Sequence, residues 1–109
     1  MKINTTTLES SLSSLLFVST QSIRNANNNL QTRLQKLSKV DLTTFEGQLD
    51  QYYLQTEVQL ILNGLYLSIN SYEALINCID ISTTPCQYDL TDELKPIKAL
   101  ITKIEKGEY

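Results

Sequence analysis

Apolar residues fall in steps of three and four at Leu8, Leu12, Leu15, Leu16, Ile23, Ala26, Leu30, Leu34, Leu37 and Val40. That spacing draws one stripe along a helix and predicts a helix over residues 8–40. Thr6-Thr7-Leu8-Glu9 offers a capping box at its start, with the Thr6 hydroxyl accepting a backbone N–H three residues on and Glu9 reaching back. The stripe is narrow and interrupted by Ser19 and Arg33, so this helix needs a neighbour.

Residues 41–44 break the pattern, and Thr43-x-x-Glu46 reads as a second capping box that starts a helix over 44–81. Its apolar positions run from Phe45 and Leu49 through Tyr52, Val58, Leu62, Leu65, Ile69 and Tyr72 to Ile79. Tyr53, Leu60 and Leu67 mark a second face, so the apolar arc is wide enough to be contacted on two sides. Asn63-Gly64, between apolar alternations, is also a hairpin-turn signal. Helical phase holds across it, which favours a continuous helix with a kink at 63–64. Pro85 and the polar run before it end the element, leaving a loop over 82–91. Leu94, Ile97, Leu100, Ile101 and Ile104 then predict a helix over 92–106, N-capped by Thr91. Pro96 lies too deep for an easy first-turn position, so this helix either starts at Lys95 or has a distorted first turn.

These elements predict a single all-α domain over 1–109: an antiparallel hairpin of two long helices plus a short C-terminal third helix. Charge sorts them. Between Ser10 and Val40 there are four cations and no acid, and from Asp41 to Glu93 there are nine acids and no cation. From Leu94 onward lysines dominate again. Folding the first two helices as a hairpin brings Lys39 near Asp50 and Lys36, and Arg33 near Glu57. Such exposed pairs contribute little stability each, but they select this pairing over others.

Chemistry is scarce. The 109 residues include no His and two Cys, which excludes the usual Cys/His zinc sites, Ser-His-Asp triads and Cys-His dyads. A net charge of −3 argues against an ordinary basic nucleic-acid binder, and no apolar run reaches membrane-spanning length. No cluster of titratable groups suggests catalysis, and no metal, cofactor or small-molecule substrate is expected. Asp92-Glu93 reads as a favourable charge pair at a helix start. Among the six tyrosines, Tyr52 and Tyr72 read as packing residues, whereas Tyr53 with Leu60 and Leu67 reads as an outward contact patch. Cys78 and Cys86 are either two unrelated small apolar residues or a disulfide formed after export. Glu9 interrupts any early apolar run, so no cleaved signal peptide is expected.

Phe45-Glu46-Gly47, an aromatic-x-Gly at the turn between two long helices, resembles the turn motif of the W-x-G family of small type VII (ESX) secretion proteins, with Phe in place of Trp. Tyr88-Asp89-Leu90-Thr91-Asp92 is similar to the Tyr-x-x-x-Asp/Glu export signal that follows the second helix in that family. The resemblance covers Leu8 to about Asp92. It implies a helical hairpin in which Phe45 caps the turn and Gly47 permits close helix approach. It also implies an export signal at Tyr88 and Asp92 and secretion without a cleaved leader. The implied partner is a second copy or the helical N-terminal domain of a larger effector. A third helix and a cysteine pair depart from the family pattern. The expected role is a non-catalytic interaction protein whose interface comprises Leu16, Ile23, Leu30, Tyr53, Leu60 and Leu67. The alternative is a cytosolic immunity protein or secretion chaperone that binds a toxin or effector, its acidic middle meeting a basic partner.

Overall fold

The computed structural model describes residues 3–4, 10–80 and 88–108. Helices α1 (Ser10–Ser38) and α2 (Phe45–Cys78) form the antiparallel hairpin, and α3 (Thr91–Glu105) packs on the half of it away from the turn. Strands β1 (Ile3–Asn4) and β2 (Ile79–Asp80) add a two-residue parallel pairing, Ile3 against Ile79 and Asn4 against Asp80. The molecule is a rod of 59 × 22 × 18 Å.

The ends of the helices have local causes. At the C-terminus of α1 the N–H groups of Lys39 and Val40 bond to the carbonyls of Lys36 and Leu37. These three-residue bonds tighten the last turn and stop the helix two residues short of its expected end. Helix α2 ends at Cys78 rather than residue 81 because Ile79 turns extended (φ −112°, ψ 143°) to pair with Ile3. It runs unbroken through Asn63 and Gly64, so helical periodicity prevails over the hairpin signal there. Helix α3 begins at Thr91, with Leu90 rather than Thr91 as N-cap, and does not wait for Lys95. The Leu94 N–H closes its first turn onto the Leu90 carbonyl at 2.8 Å. Pro96 removes only the bond that would have reached the carbonyl of Asp92, an exposed residue that water can serve. At the other end Gly107 adopts φ +74°, and the N–H groups of Gly107 and Glu108 bond to the carbonyls of Ile104 and Lys103, a Schellman closure.

The second capping box is displaced by one residue. Thr44, not Thr43, is the N-cap of α2: its hydroxyl accepts the Gly47 N–H at 2.9 Å. Thr43 instead bonds to the Asp41 carboxylate through both its N–H and its hydroxyl. The capping box expected at Thr6 and Glu9 lies outside the described residues.

The core sits in the half covered by α3. Leu16, Ile23 and Leu30 of α1 meet Val58, Leu62, Leu65, Ile69 and Tyr72 of α2, and Leu90, Leu94, Ile97, Ile101 and Ile104 close the third side. This corrects the expected interface, because Leu16, Ile23 and Leu30 are essentially inaccessible and are used in packing the chain against itself. Towards the turn no residue of α1 after Leu30 is fully buried, and none of α2 between Gly47 and Val58. Ion pairs among the described residues join the helices: Arg33–Glu57 between α1 and α2 (3.1 Å), Arg24–Glu93 between α1 and α3 (2.9 Å), and Lys98–Glu73 between α2 and α3 (2.7 Å). The Arg33–Glu57 pair is the one the charge pattern anticipated. No Lys39–Asp50 bridge is made among the described residues; both residues line a cleft of about 580 Å³ at the turn end.

Candidate interaction surface

The turn is built from hydrogen bonds rather than from apolar contact. The Asp41 carboxylate accepts from the Thr43 N–H (3.0 Å) and hydroxyl (2.6 Å), which holds its carboxyl below the usual aspartate range. The Thr44 hydroxyl donates to the Asp41 carbonyl at 3.2 Å, and the Gln48 amide donates to the Leu42 carbonyl at 3.1 Å. A Cβ on Gly47 would lie 1.7 Å from the Asp41 carbonyl oxygen. Glycine is therefore required here, to let the backbone of the turn fold onto the first turn of α2 and not for approach of the neighbouring helix. Phe45 does not cap the hairpin, being 80% exposed.

Helix α2 presents an apolar seam on the side away from the core. Tyr53, Leu60 and Leu67 recur every seven residues and are 57%, 65% and 69% exposed. Leu49, four residues before Tyr53, is also exposed and extends the seam towards the turn, where Phe45 and Leu42 are uncovered as well. Tyr52, expected to pack inside, is exposed and meets the Tyr53 ring edge-on at 5.8 Å between centroids. At the far end of the seam Leu67 lines a shallow groove with Val18, Ser19, Ser22, Ser68 and Ser71. Gly64 lies four residues after Leu60 and three before Leu67, on the same face. A Cβ there would have nothing within 4 Å, so the chain's own packing does not need the glycine, which costs about 1 kcal/mol relative to alanine in a helix interior. Sequence reasoning found Tyr53, Leu60 and Leu67 but missed Leu49, and it weighed Gly64 only as a rival turn signal or a kink in a helix it expected to continue. The seven-residue spacing with a glycine inside it was the available clue.

Tyr88 and Asp92 stand in different settings. Tyr88 is half-buried, its ring edge-on to Phe17 at 6.3 Å, and its carbonyl accepts the Tyr72 hydroxyl at 2.7 Å. Tyr72 is fully buried, and its oxygen also accepts the Leu90 N–H at 2.8 Å. Burial pushes its phenol above the ordinary tyrosine value, partly opposed by that N–H. Asp92 is exposed in the first turn of α3. The neighbouring Glu93 takes two bonds from the Arg24 guanidinium (3.1 and 2.9 Å), which hold its carboxyl below the usual range and raise the arginine. Cys78 carries a free, exposed thiol at the end of α2, whereas a disulfide to Cys86 was one of the two readings; Cys86 lies outside the described residues.

Among the described residues no group of three or more His, Cys, Asp or Glu side chains is placed to hold a metal ion, and no helix is long and apolar enough to cross a membrane. No protein-family model, curated protein or solved structure matches the chain.

Proposed function

We propose that this chain is a non-catalytic interaction protein that works by docking the outward seam of α2 onto another protein. The observation that carries the reading is the contrast between the two apolar faces of α2. One is enclosed by α1 and α3, while Tyr53, Leu60 and Leu67 on the other stay more than half exposed over four helical turns. Single exposed apolar residues are ordinary, whereas a continuous row on one helix face marks a contact surface. Size-exclusion chromatography of the chain expressed in its native source tests this. The wild type elutes in an assembly larger than a monomer, and the Leu60→Asp, Leu67→Asp variant elutes as a folded monomer. Identical monomeric elution of both would sink the reading.

The narrower form of the proposal is type VII-like export as an effector partner, and it rests on the placement of Gly47 at the turn and of Tyr88 and Asp92 before and within α3. Because Asp92 is exposed and makes no ion pair among the described residues, Asp92→Ala tests the export signal without disturbing the fold. Loss of the variant from the culture supernatant, with the wild type present there, supports export. Equal secretion of both removes that role and leaves the interaction surface standing.

A further inference from the structure

Asn63 is the chain's one asparagine followed by glycine. An asparagine in that position can lose ammonia without an enzyme. The Gly64 backbone nitrogen attacks the Asn63 carboxamide carbon and closes a cyclic imide, a succinimide. The Cγ–Nδ2 bond breaks, and ammonia leaves with the proton that the Gly64 nitrogen gave up. Water then opens the ring at either carbonyl. The residue becomes aspartate or, with the backbone rerouted through Cβ, isoaspartate. Glycine favours the closure because no side chain crowds the attacking nitrogen and its backbone turns freely. Both residues are exposed, and a Cβ on Gly64 would meet nothing within 4 Å, so the site is open to water.

The folded chain nevertheless holds the two reacting atoms apart. Helix α2 is continuous through both residues, which commits the Gly64 N–H to the Leu60 carbonyl. Ring closure requires ψ at Asn63 to leave its helical value of about −42° and turn the Gly64 nitrogen towards the carboxamide. The side chain itself leans back over the preceding turn, where its Oδ1 accepts the Gln59 amide N–H at 3.2 Å. The backbone around the pair is anchored on both sides. Leu62, immediately before, is 2% exposed and Leu65, immediately after, 0%; both belong to the core between the helices. In a loop an Asn-Gly pair reaches the reactive geometry by a local fluctuation. Here α2 must open and at least one of those leucines must leave the core.

We infer that Asn63 is a site of deamidation through the succinimide, guarded by the packing of α2, so that its conversion records how often the three-helix core opens. This stands independently of the interaction reading above. The product is not neutral for the fold. Isoaspartate adds a backbone methylene between Leu62 and Leu65, so both cannot keep helical register, and the change hinders return to the native α2. Asn63 also lies three residues after Leu60 and four before Leu67, so either product places a negative charge beside the outward seam.

The full chain, incubated at neutral pH both folded and in urea above its unfolding midpoint, tests the inference. Peptide mass spectrometry follows each asparagine, with fragmentation that separates aspartate from isoaspartate. In urea Asn63 converts faster than every other asparagine, with isoaspartate among its products, and at least about tenfold faster than in the folded chain. Tyr72→Phe and Leu90→Ala loosen the core away from Asn63 and speed its conversion in native buffer several-fold, in the order of their loss of stability. Tyr72→Phe, the milder change, reads this coupling even where Leu90→Ala does not fold. Gly64→Ala slows conversion in urea, where no helix remains, at least about tenfold, because the added methyl crowds the attacking nitrogen. Direct hydrolysis of the carboxamide would ignore that change and give aspartate alone. The isoaspartate form, separated by chromatography, refolds with a lower urea midpoint than the unconverted chain. Equal rates in the folded and unfolded chain, or rates in native buffer indifferent to the core variants, remove the guard. A faster asparagine elsewhere in the unfolded chain, or conversion unaltered by Gly64→Ala, removes the site. An unchanged midpoint for the isoaspartate form overturns the consequence for α2.

Discussion

Asp41-Leu42-Thr43 and Asp89-Leu90-Thr91 are the same three residues in the same local arrangement, one in each half of the molecule. In both, a single carboxylate oxygen accepts the N–H and the hydroxyl of the threonine two residues on. The leucines between them have opposite fates: Leu42 is 50% exposed and Leu90 is wholly buried. Local hydrogen bonding therefore sets the shape of each turn, while the burial of its apolar residue depends on what else arrives. At Leu90 the Tyr72 hydroxyl takes the backbone N–H and the three-helix core closes over the side chain. At Leu42 only the hairpin itself is present. Substitution to alanine sharpens the contrast most. Leu90→Ala is expected to lower stability by about 2–5 kcal/mol and Leu42→Ala by no more than about 0.5 kcal/mol, as read from urea midpoints. Equal losses would mean that the turn half is packed after all.

Tyr72 ties the covered half together, and its hydroxyl gives the next largest effect. Tyr72→Phe keeps the ring in place but leaves the Tyr88 carbonyl and the buried Leu90 N–H without their partner. The expected loss is about 1–3 kcal/mol. The matching change in the other half, Tyr53→Phe, is expected to fall within about 0.5 kcal/mol of the wild type because its ring is exposed. A thermal melt of each variant reads the difference.

The three helices and their order were legible because periodicity and charge agreed. The stripe at Leu16, Ile23 and Leu30 named residues that do lie on one face, and the basic and acidic blocks anticipated Arg33–Glu57. What periodicity could not supply was which apolar face meets which neighbour. A stripe is the same whether another segment of the chain or another molecule covers it, so Leu16, Ile23 and Leu30 were placed on a partner when α2 and α3 enclose them. The cap slipped from Thr43 to Thr44 for a similar reason. Both threonines satisfy a capping pattern, and the Asp41 carboxylate, by engaging Thr43, leaves Thr44 to the helix. Phe45-x-Gly47 was legible as a turn, but only the approach of the Asp41 carbonyl shows why glycine is needed and the aromatic is not.

That approach makes Gly47 the most sensitive point of the weaker half. Gly47→Ala forces the Asp41 carbonyl to move and is expected to cost at least about 1 kcal/mol. Thr44→Ala, which removes the cap from the Gly47 N–H, is expected to cost about 1 kcal/mol. At α3 the N-cap Leu90 makes no side-chain capping bond, so the exposed Thr91→Ala change is expected to lose less. Larger loss at Thr91 than at Thr44 would show that the Asp–Thr bond, and not the cap, holds each helix start.

The smallest effects are those of pH, and they bear on what the two turns share. Asp41 and Asp89 lie below the ordinary aspartate value, first through the threonine hydroxyl and then through its N–H; Glu93 is lowered first by its bonds from Arg24. A carboxyl lowered on folding contributes stability that is fully present above its unfolded value, about 4, and is lost as pH falls through the folded value. The urea midpoint should therefore hold steady from neutrality to about pH 5 and decline below about pH 4. Asp41→Asn and Asp89→Asn should flatten that decline to a similar small degree, because both carboxylates are exposed and bonded alike, and Arg24→Gln should remove the part owed to Glu93. If Asp89→Asn flattened the acid limb far more than Asp41→Asn, the hydrogen bonds would not be equivalent. The core behind Leu90 would then be strengthening its turn, and the two halves would differ in their local bonding as well as in what covers them.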